Sequence, residues 1–177
     1  MTMSTAEAAP PLVQIVDDDA SVRDALAGLL ESADFATRCF ESAATFLEAD
    51  LPRHPSCVLL DVRLQEASGL DVQASMRARR CDIPIIFMTG HATIPMKGGG
   101  VEFLTTPMQD EVLTDAVRAA LATDAARLEA RALDEDARVR YASLTPREQE
   151  VMALVVGGLM NKQLAAELGT SEITAKV

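Results

Sequence analysis

The chain has 177 residues, enough for one full core and a small second unit, and its composition excludes several classes of protein. No apolar stretch approaches the roughly 20 residues of a membrane span, no secretory signal is seen, and three widely spaced cysteines match no zinc or redox motif. A formal net charge of −11 with only 3% aromatic residues argues against a surface that coats nucleic acid, without excluding a small docking face. We therefore expect a cytoplasmic protein.

Short apolar segments alternate with helical patterns over the first two thirds of the chain. The predicted strands are Leu12–Val16, Phe35–Phe40, Cys57–Asp61, Ile83–Thr89 and Val101–Thr105. The predicted helices start at Ser21 and Ser42, which we expect to act as N-caps, and then at Gly69 and Asp110. Alternating strands and helices predict βα units, right-handed crossovers and a doubly wound parallel sheet.

Carboxylates follow two of the predicted strands at the point where each strand ends. Asp17, Asp18 and Asp19 close the first strand, and Asp61 closes the third. In an open α/β sheet, ligands bind at the carboxyl ends of the strands, so Asp17, Asp18 and Asp61 should meet at one rim. Three converging carboxylates repel one another unless a hard cation lies between them, and this predicts a Mg²⁺ site.

The connection between the last two strands is unusually short. Only eleven residues, Gly90–Gly100, lie between them, and they include Pro95 and three consecutive glycines. A parallel crossover with a helix needs at least about 10–12 residues, and each glycine costs a helix about 1 kcal/mol relative to alanine. We therefore expect the fourth helix to be reduced to a turn or absent.

The segment after Leu121 is rich in alanine and in charged residues up to Arg140. Leu121 and Leu128 lie one heptad apart, which predicts a helical linker with a narrow apolar seam. Two alternatives remain open at this point. The linker is either a solvated helix without a partner or a coiled coil that forms a homodimer, and the alanine-rich seam supports the coiled coil only weakly.

The C-terminal segment has the pattern of a helix-turn-helix. Thr145 as N-cap, Pro146 at the first helical position and Glu148 at the third form a complete helix start, and Gly157 ends the helix. Two further short helical patterns follow, at 161–169 and 172–177. This order of helix, glycine turn and helix is typical of small DNA-binding domains.

Several segments together carry a resemblance to a known family. They are IVDDD at 15–19, LLDVR at 59–63, FMTGH at 87–91, FLTTP at 103–107, LTPRE at 144–148 and NKQLA at 161–165. The first four resemble the receiver domain of two-component response regulators, and the last two resemble LuxR/NarL-type DNA-binding domains. The combination is similar to the FixJ branch of transcriptional response regulators.

The resemblance implies a fold and a domain order. The fold is a flavodoxin-like receiver with five parallel strands in the order 2-1-3-4-5, a shortened fourth helix, a long linker helix and a small all-α domain. The expected boundaries are 11–121 for the receiver, 122–142 for the linker and 143–177 for a helix-turn-helix domain that is incomplete in this sequence.

The resemblance also implies roles for individual residues in a regulator that is not itself an enzyme. Asp61 would accept a phosphoryl group from a sensor histidine kinase, Thr89 would be the switch hydroxyl and Phe103 the switch aromatic. Mg²⁺ would be held by Asp17, Asp18, Asp61 and the backbone carbonyl of Arg63. The residues expected to contact promoter DNA are Lys162, Thr170, Ser171, Thr174 and Lys176.

Some positions depart from the family pattern. Thr106 stands where the family has a lysine before Pro107, so the salt bridge to phosphate is lost, and Lys97 is the only lysine nearby. These departures favour an alternative in which the receiver is a phosphorylation-independent module for dimerisation or interaction. A third reading, an aspartyl phosphatase, is disfavoured because Arg63 occupies the place of the second acid that such chemistry needs.

Overall fold

A computed structural model describes residues 10–65, 67–89, 101–105 and 109–157, and within 101–105 it describes the side chain of Leu104 alone. The strands are β1 (Leu12–Val16), β2 (Ala36–Phe40), β3 (Ser56–Asp61), β4 (Ile85–Thr89) and β5 (Val101–Thr105). The helices are α1 (Ala20–Ser32), α2 (Ala43–Glu48), α3 (Gly69–Ala78), α4 (Asp110–Ser143) and α5 (Pro146–Val156). The chain divides into two compact units, Met1–Glu129 and Ala130–Val177.

The first unit is built on one parallel sheet. Its five strands lie in the order β2-β1-β3-β4-β5, which confirms the predicted doubly wound fold. In the register, Val16 lies opposite Phe40 on one side and Leu60 on the other, so these three strands end at nearly the same level. Strand β2 is added on one side of β1 and strands β3 to β5 on the other, and open α/β sheets bind ligands in the crevice at such a switch in strand order.

Apolar side chains cover both faces of the sheet, as the continuous hydrophobic pattern of β3 predicts. One face packs against α1 and α4 through residues such as Ile15, Leu30 and Val117. The other face packs against α2 and α3 through residues such as Phe46 and Val72. β3 lies between two partner strands and under both layers, and all its residues except Asp61 are buried.

Side-chain caps start the helices of the first unit, and one of them differs from the prediction. Ser42 caps α2 as expected, and its hydroxyl accepts a hydrogen bond from the backbone N–H of Thr45. The N-cap of α1 is Asp19 and not Ser21, because the Asp19 carboxylate accepts from the backbone N–H groups of Ser21 and Val22. An ionised cap also interacts favourably with the helix dipole, which a serine hydroxyl does not do.

The helix α4 spans Asp110–Ser143 without interruption, and the side chains after Glu129 are exposed. The helix α5 starts as predicted, with a capping box between Thr145 and Glu148. The side-chain amide of Gln149 donates to the carbonyl oxygens of Tyr141 and Leu144, at 3.1 and 3.3 Å, and so satisfies acceptors near the end of α4. Within the described residues, no helix is both long and apolar enough to cross a lipid bilayer.

Candidate functional site

Two carboxylate-bearing loops meet at the carboxyl ends of β1 and β3. Val16 pairs with Leu60, so the residues that follow them, Asp17 and Asp61, are level at the rim of the sheet. Asp17 is 5% exposed, whereas Asp18 and Asp61 are half-buried. The parallel register therefore brings together residues that are 44 positions apart in the chain.

One carboxylate oxygen from each of Asp17, Asp18 and Asp61 lies within 4.8 Å of the other two. Mg²⁺ binds oxygen at about 2.0–2.1 Å, so two oxygens on opposite sides of the ion are about 4 Å apart. The three oxygens, no more than 4.8 Å from one another, are therefore close enough to converge on one ion. The donor set, three carboxylates at an open rim, fits a hard divalent cation.

The electrostatics of the cluster favour the same conclusion. Burial is the main cause that raises the pKa of Asp17, and the charges of Asp61, Asp18 and Asp19 raise it further. The pKa of Asp61 is raised by burial first and by the charge of Asp18, against backbone hydrogen bonds and the charge of Arg63 that lower it. Since burial and neighbouring carboxylates both make Asp17 and Asp61 harder to ionise, a cation among them would relieve the repulsion.

The loop after β1 is held by contacts that sequence reasoning did not identify. The guanidinium of Arg23 donates to the carbonyl oxygen of Asp17 at 2.7 Å, and the N–H of Asp19 donates to the Asp17 carboxylate at 2.8 Å. The guanidinium therefore holds the Asp17 backbone without neutralising its carboxylate. An arginine one turn into the helix after an acidic strand end was the available signal.

The loop after β3 folds back on itself beside Asp61. The N–H of Arg63 donates to the Asp61 carboxylate at 3.1 Å, and Arg63 and Ser68 form an isolated antiparallel bridge. Gly69 closes this loop by donating to the carbonyl oxygen of Val62 at 3.0 Å. A Cβ atom on Gly69 would lie 2.6 Å from the backbone oxygen of Asp61, so only glycine fits here without a shift of the loop.

The two predicted switch residues lie on the neighbouring strands. Thr89 is the last residue of β4 and is half-buried; it pairs with Thr105, and its neighbour Met88 pairs with Asp61, so Thr89 is at the same rim as the carboxylates. Phe103 lies in the middle of β5, opposite Phe87. The backbone positions suit the predicted roles, and those roles stay predictions.

A polar recess of about 360 Å³ opens beside Asp18, between the loops that follow β1, β2 and β3. Its lining residues are Asp18, Arg23, Glu41, Ser42, Ala43, Leu64, Gln65 and Ala67. Of the three clustered carboxylates, Asp18 lines this recess.

Several predictions fall on residues outside the described part of the chain. They concern the shortened fourth helix at 90–100, Lys97, Thr106 and the DNA-contacting residues Lys162, Thr170, Ser171, Thr174 and Lys176.

Comparisons with known proteins match both parts of the chain. The response regulator receiver domain family matches residues 13–118, which is more than half of the chain. The family described as bacterial regulatory proteins, luxR family, matches residues 142–177.

Two curated relatives match across nearly the whole chain. The chain is 46% identical over 171 residues to nodulation protein W of Bradyrhizobium diazoefficiens, and the match covers 94% of this chain and 75% of that protein. It is 42% identical over 172 residues to the response regulator protein TodT of Pseudomonas putida, with the same coverage of 94% and 75%.

Solved structures agree with these relatives. The structure of the response regulator StyR has a TM-score of 0.81 and 43% identity, and covers 95% of this chain and 87% of that one. Full-length FixJ from B. japonicum has a TM-score of 0.61 and 36% identity, with 96% and 85% covered. The chain therefore belongs to the response regulators and is a phosphorylation-controlled transcriptional regulator, in which a receiver domain is followed by a LuxR-type helix-turn-helix domain.

Proposed function

We propose that Asp61 accepts a phosphoryl group from the phosphohistidine of a sensor histidine kinase. An oxygen of the Asp61 carboxylate would form the new bond to phosphorus as the bond from phosphorus to the histidine nitrogen breaks. The observation that carries this assignment is the convergence of Asp17, Asp18 and Asp61 within 4.8 Å at the rim of the sheet. Among these three, Asp61 ends the central strand, and its position is fixed by the N–H of Arg63.

We propose the following roles for the remaining parts of the site. Asp17, Asp18, Asp61 and the backbone carbonyl of Arg63 would hold Mg²⁺, which supplies positive charge to the transferring phosphoryl group. Burial disfavours ionised Asp17 and Asp61 in the absence of a cation. A cation held there would favour the ionised form of Asp61, which is the form that acts as the nucleophile.

We further propose how the signal leaves the site. A phosphoryl group adds roughly −1.5 to −2 charges. The hydroxyl of Thr89, a residue at the same rim, would donate to it, and Phe103 on β5 would respond. The output is binding of promoter DNA in the cytoplasm through Lys162, Thr170, Ser171, Thr174 and Lys176, with a homodimer as the binding form. The match of residues 142–177 to the luxR family supports the DNA-binding part of this proposal.

The domain boundaries are part of the proposal. We assign 11–121 to the receiver, 122–142 to the linker and 143–177 to the DNA-binding domain. The receiver match over residues 13–118 and the luxR match over residues 142–177 support these limits.

A titration with Mg²⁺ and beryllofluoride, a phosphoryl mimic, tests the site. We expect wild type to bind Mg²⁺, to bind beryllofluoride only when Mg²⁺ is present, and to change its sedimentation coefficient when both are bound. Asp61→Asn should lose the beryllofluoride response, whereas Asp115→Asn, an exposed aspartate on α4, should retain it. If wild type binds neither ligand, the assignment of the site is wrong.

The same experiment also tests a second candidate function. Thr106 stands where the family has a lysine, so a phosphorylation-independent interaction module is the alternative. If wild type binds Mg²⁺ and beryllofluoride without a change in its sedimentation coefficient, and Thr106→Lys does show that change, the result would favour the alternative for this chain.

A further inference from the structure

The buried stripe of helix α4 ends in a charged pair. Leu113, Val117 and Leu121 recur every four residues and are buried against the sheet. The next positions on that face are Asp124 and Arg127. Asp124 is 0% exposed and is the last fully buried residue of α4. An aspartate is almost never fully buried unless its charge is paired, so Asp124 is expected to have partners inside the protein.

Both carboxylate oxygens of Asp124 accept a hydrogen bond. Oδ2 accepts from the backbone N–H of Ser56 at 2.9 Å, and Oδ1 accepts from Nε of Arg127 at 2.8 Å. The side chain of Arg127 is 21% exposed, so the guanidinium faces water on its other side. The pair thus satisfies the buried carboxylate and, with the same group, the otherwise orphaned first N–H of β3.

Neighbouring thiols locate the pair against the amino-terminal end of the sheet. Cys57, the second residue of β3, has a pKa raised to about 12, mainly by burial and further by the charge of Asp124. Burial raises the pKa of Cys81, which precedes β4. The charge of Arg127 lowers this pKa and the charge of Asp124 raises it. The contact between Asp124 and Ser56, which we call the joint, therefore lies at the start of β3, at the opposite end of the strand from Asp61.

One strand consequently connects the two places. β3 begins at Ser56, which binds Asp124, and ends at Asp61. At roughly 3.3 Å per residue, its six residues span about 17 Å. β3 is paired on both sides and buried on both faces, and close-packed interiors have low compressibility and transmit strain.

We propose that Asp124 anchors the linker helix to strand β3 and fixes both the helical register and the point at which α4 leaves the receiver. The anchor holds α4, as far as Arg127, rigidly against β3, the strand that carries Asp61. Asp124 is a positioning residue, and it lies beyond residue 118, where the match to the receiver family ends. The second consequence, that a change at Asp61 reaches the linker through β3, rests on the proposed function of Asp61.

Hydrogen exchange tests the anchor without any phosphoryl group. In Asp124→Asn, the amides of residues 121–129 should exchange about tenfold faster than in wild type, because the charged partner of Arg127 is lost. Asp115→Asn, which removes an exposed ion pair on the same helix, should leave those amides at the wild-type rate. Unchanged exchange at 121–129 in a folded Asp124→Asn protein would overturn the anchor.

A second variant keeps this test decisive if Asp124→Asn does not fold. Arg127→Met removes one donor and leaves the bond between Asp124 and Ser56 in place. We expect a smaller acceleration confined to the same amides. Wild-type exchange in this variant as well would also overturn the proposal.

Beryllofluoride with Mg²⁺ tests the connection through β3. We expect the two ligands to change exchange at 121–129 in wild type, and to bind Asp124→Asn with unchanged affinity but without that change. If wild type fails to bind them, the proposed role of Asp61 fails and the anchor is judged by the ligand-free exchange alone. If both proteins bind and respond equally at 121–129, the connection through β3 is wrong.

Discussion

The two ends of strand β3 hold aspartates in opposite circumstances. At the carboxyl end, Asp61 is half-buried and faces Asp17 and Asp18, and burial together with like charge raises its pKa. At the amino end, Asp124 is completely buried, yet each of its oxygens has a donor. The carboxylates at the carboxyl end thus repel one another, whereas both oxygens of the carboxylate at the amino end accept a hydrogen bond.

The difference shows that partners, more than burial, decide what a carboxylate contributes. A buried carboxylate with two donors stabilises the fold and fixes a geometry. A cluster of carboxylates whose donors are backbone N–H groups costs stability in the free protein, and that cost becomes affinity for a cation. The same residue type therefore serves structure at one end of the strand and function at the other.

The largest effect should follow from removing the compensated carboxylate. Asp124→Ala leaves the buried N–H of Ser56 without its acceptor and Arg127 without its partner. We expect the free energy of unfolding to fall by about 2–4 kcal/mol, measured by urea denaturation. Asp115→Ala, at an exposed ion pair, should change it by less than about 0.5 kcal/mol. Equal effects of the two substitutions would abolish the contrast between them.

The next effect concerns the close approach behind Asp61. Gly69→Ala places a methyl group 2.6 Å from the Asp61 carbonyl oxygen and 3.0 Å from the ring of Phe87. We expect a loss of about 1–3 kcal/mol in stability and weaker Mg²⁺ binding, because the loop that carries Asp61 must shift. Gly28→Ala is the matched control, since its added Cβ meets nothing within 4 Å. Wild-type Mg²⁺ affinity in Gly69→Ala would show that the loop is not held by this contact.

A smaller effect should come from relieving the repulsion at the rim. The folded-state pKa values of Asp17 and Asp61 are raised above 3.8, so the stability that these groups contribute is fully present below pH 3.8 and is lost as pH rises through the raised values. Asp61→Asn should therefore gain about 1 kcal/mol at pH 7 without Mg²⁺. Thermal melting across pH measures this gain, and added Mg²⁺ should remove the advantage of the variant. A variant less stable than wild type in metal-free buffer would contradict the repulsion.

The smallest effect tests whether every buried polar group at the start of β3 has a hydrogen-bond partner. The hydroxyl of Ser56 is buried and has no hydrogen-bond partner among the described residues, although the backbone N–H of the same residue binds Asp124. Ser56→Ala should keep the joint and raise stability by roughly 0.5–1 kcal/mol. Ser32→Ala, whose exposed hydroxyl donates to Leu29, should bring no such gain. A loss of stability in Ser56→Ala would mean that the hydroxyl is satisfied.

Local signals in the sequence were sufficient for the fold and for part of the site. The alternation of apolar strands with capped helices predicted the parallel sheet, and Ser42 and Thr145 cap the helices that they were expected to cap. Asp17, Asp18 and Asp61 were expected to meet because the carboxyl ends of parallel strands share one rim, and the register brings them together. These inferences succeeded because they depend on backbone periodicity and on strand direction.

Contacts that depend on the exact path of a loop were beyond that reasoning. The cap of α1 moved from Ser21 to Asp19, because which of several nearby acceptors reaches the free N–H groups depends on the path of the loop. Arg23 on the Asp17 carbonyl and Gly69 against Asp61 likewise depend on how closely two elements approach.

The sequence by itself determined the family, the order of the domains and the rim at which the carboxylates meet, because motif spacing and hydrophobic period encode them locally. Only the tertiary structure decided that Asp124, which the sequence pattern placed in the linker 122–142, is buried against the first residue of β3. Its hydrogen bond joins residues 68 positions apart, and such a partner is chosen by the packing of a helix on a sheet, which no local pattern specifies.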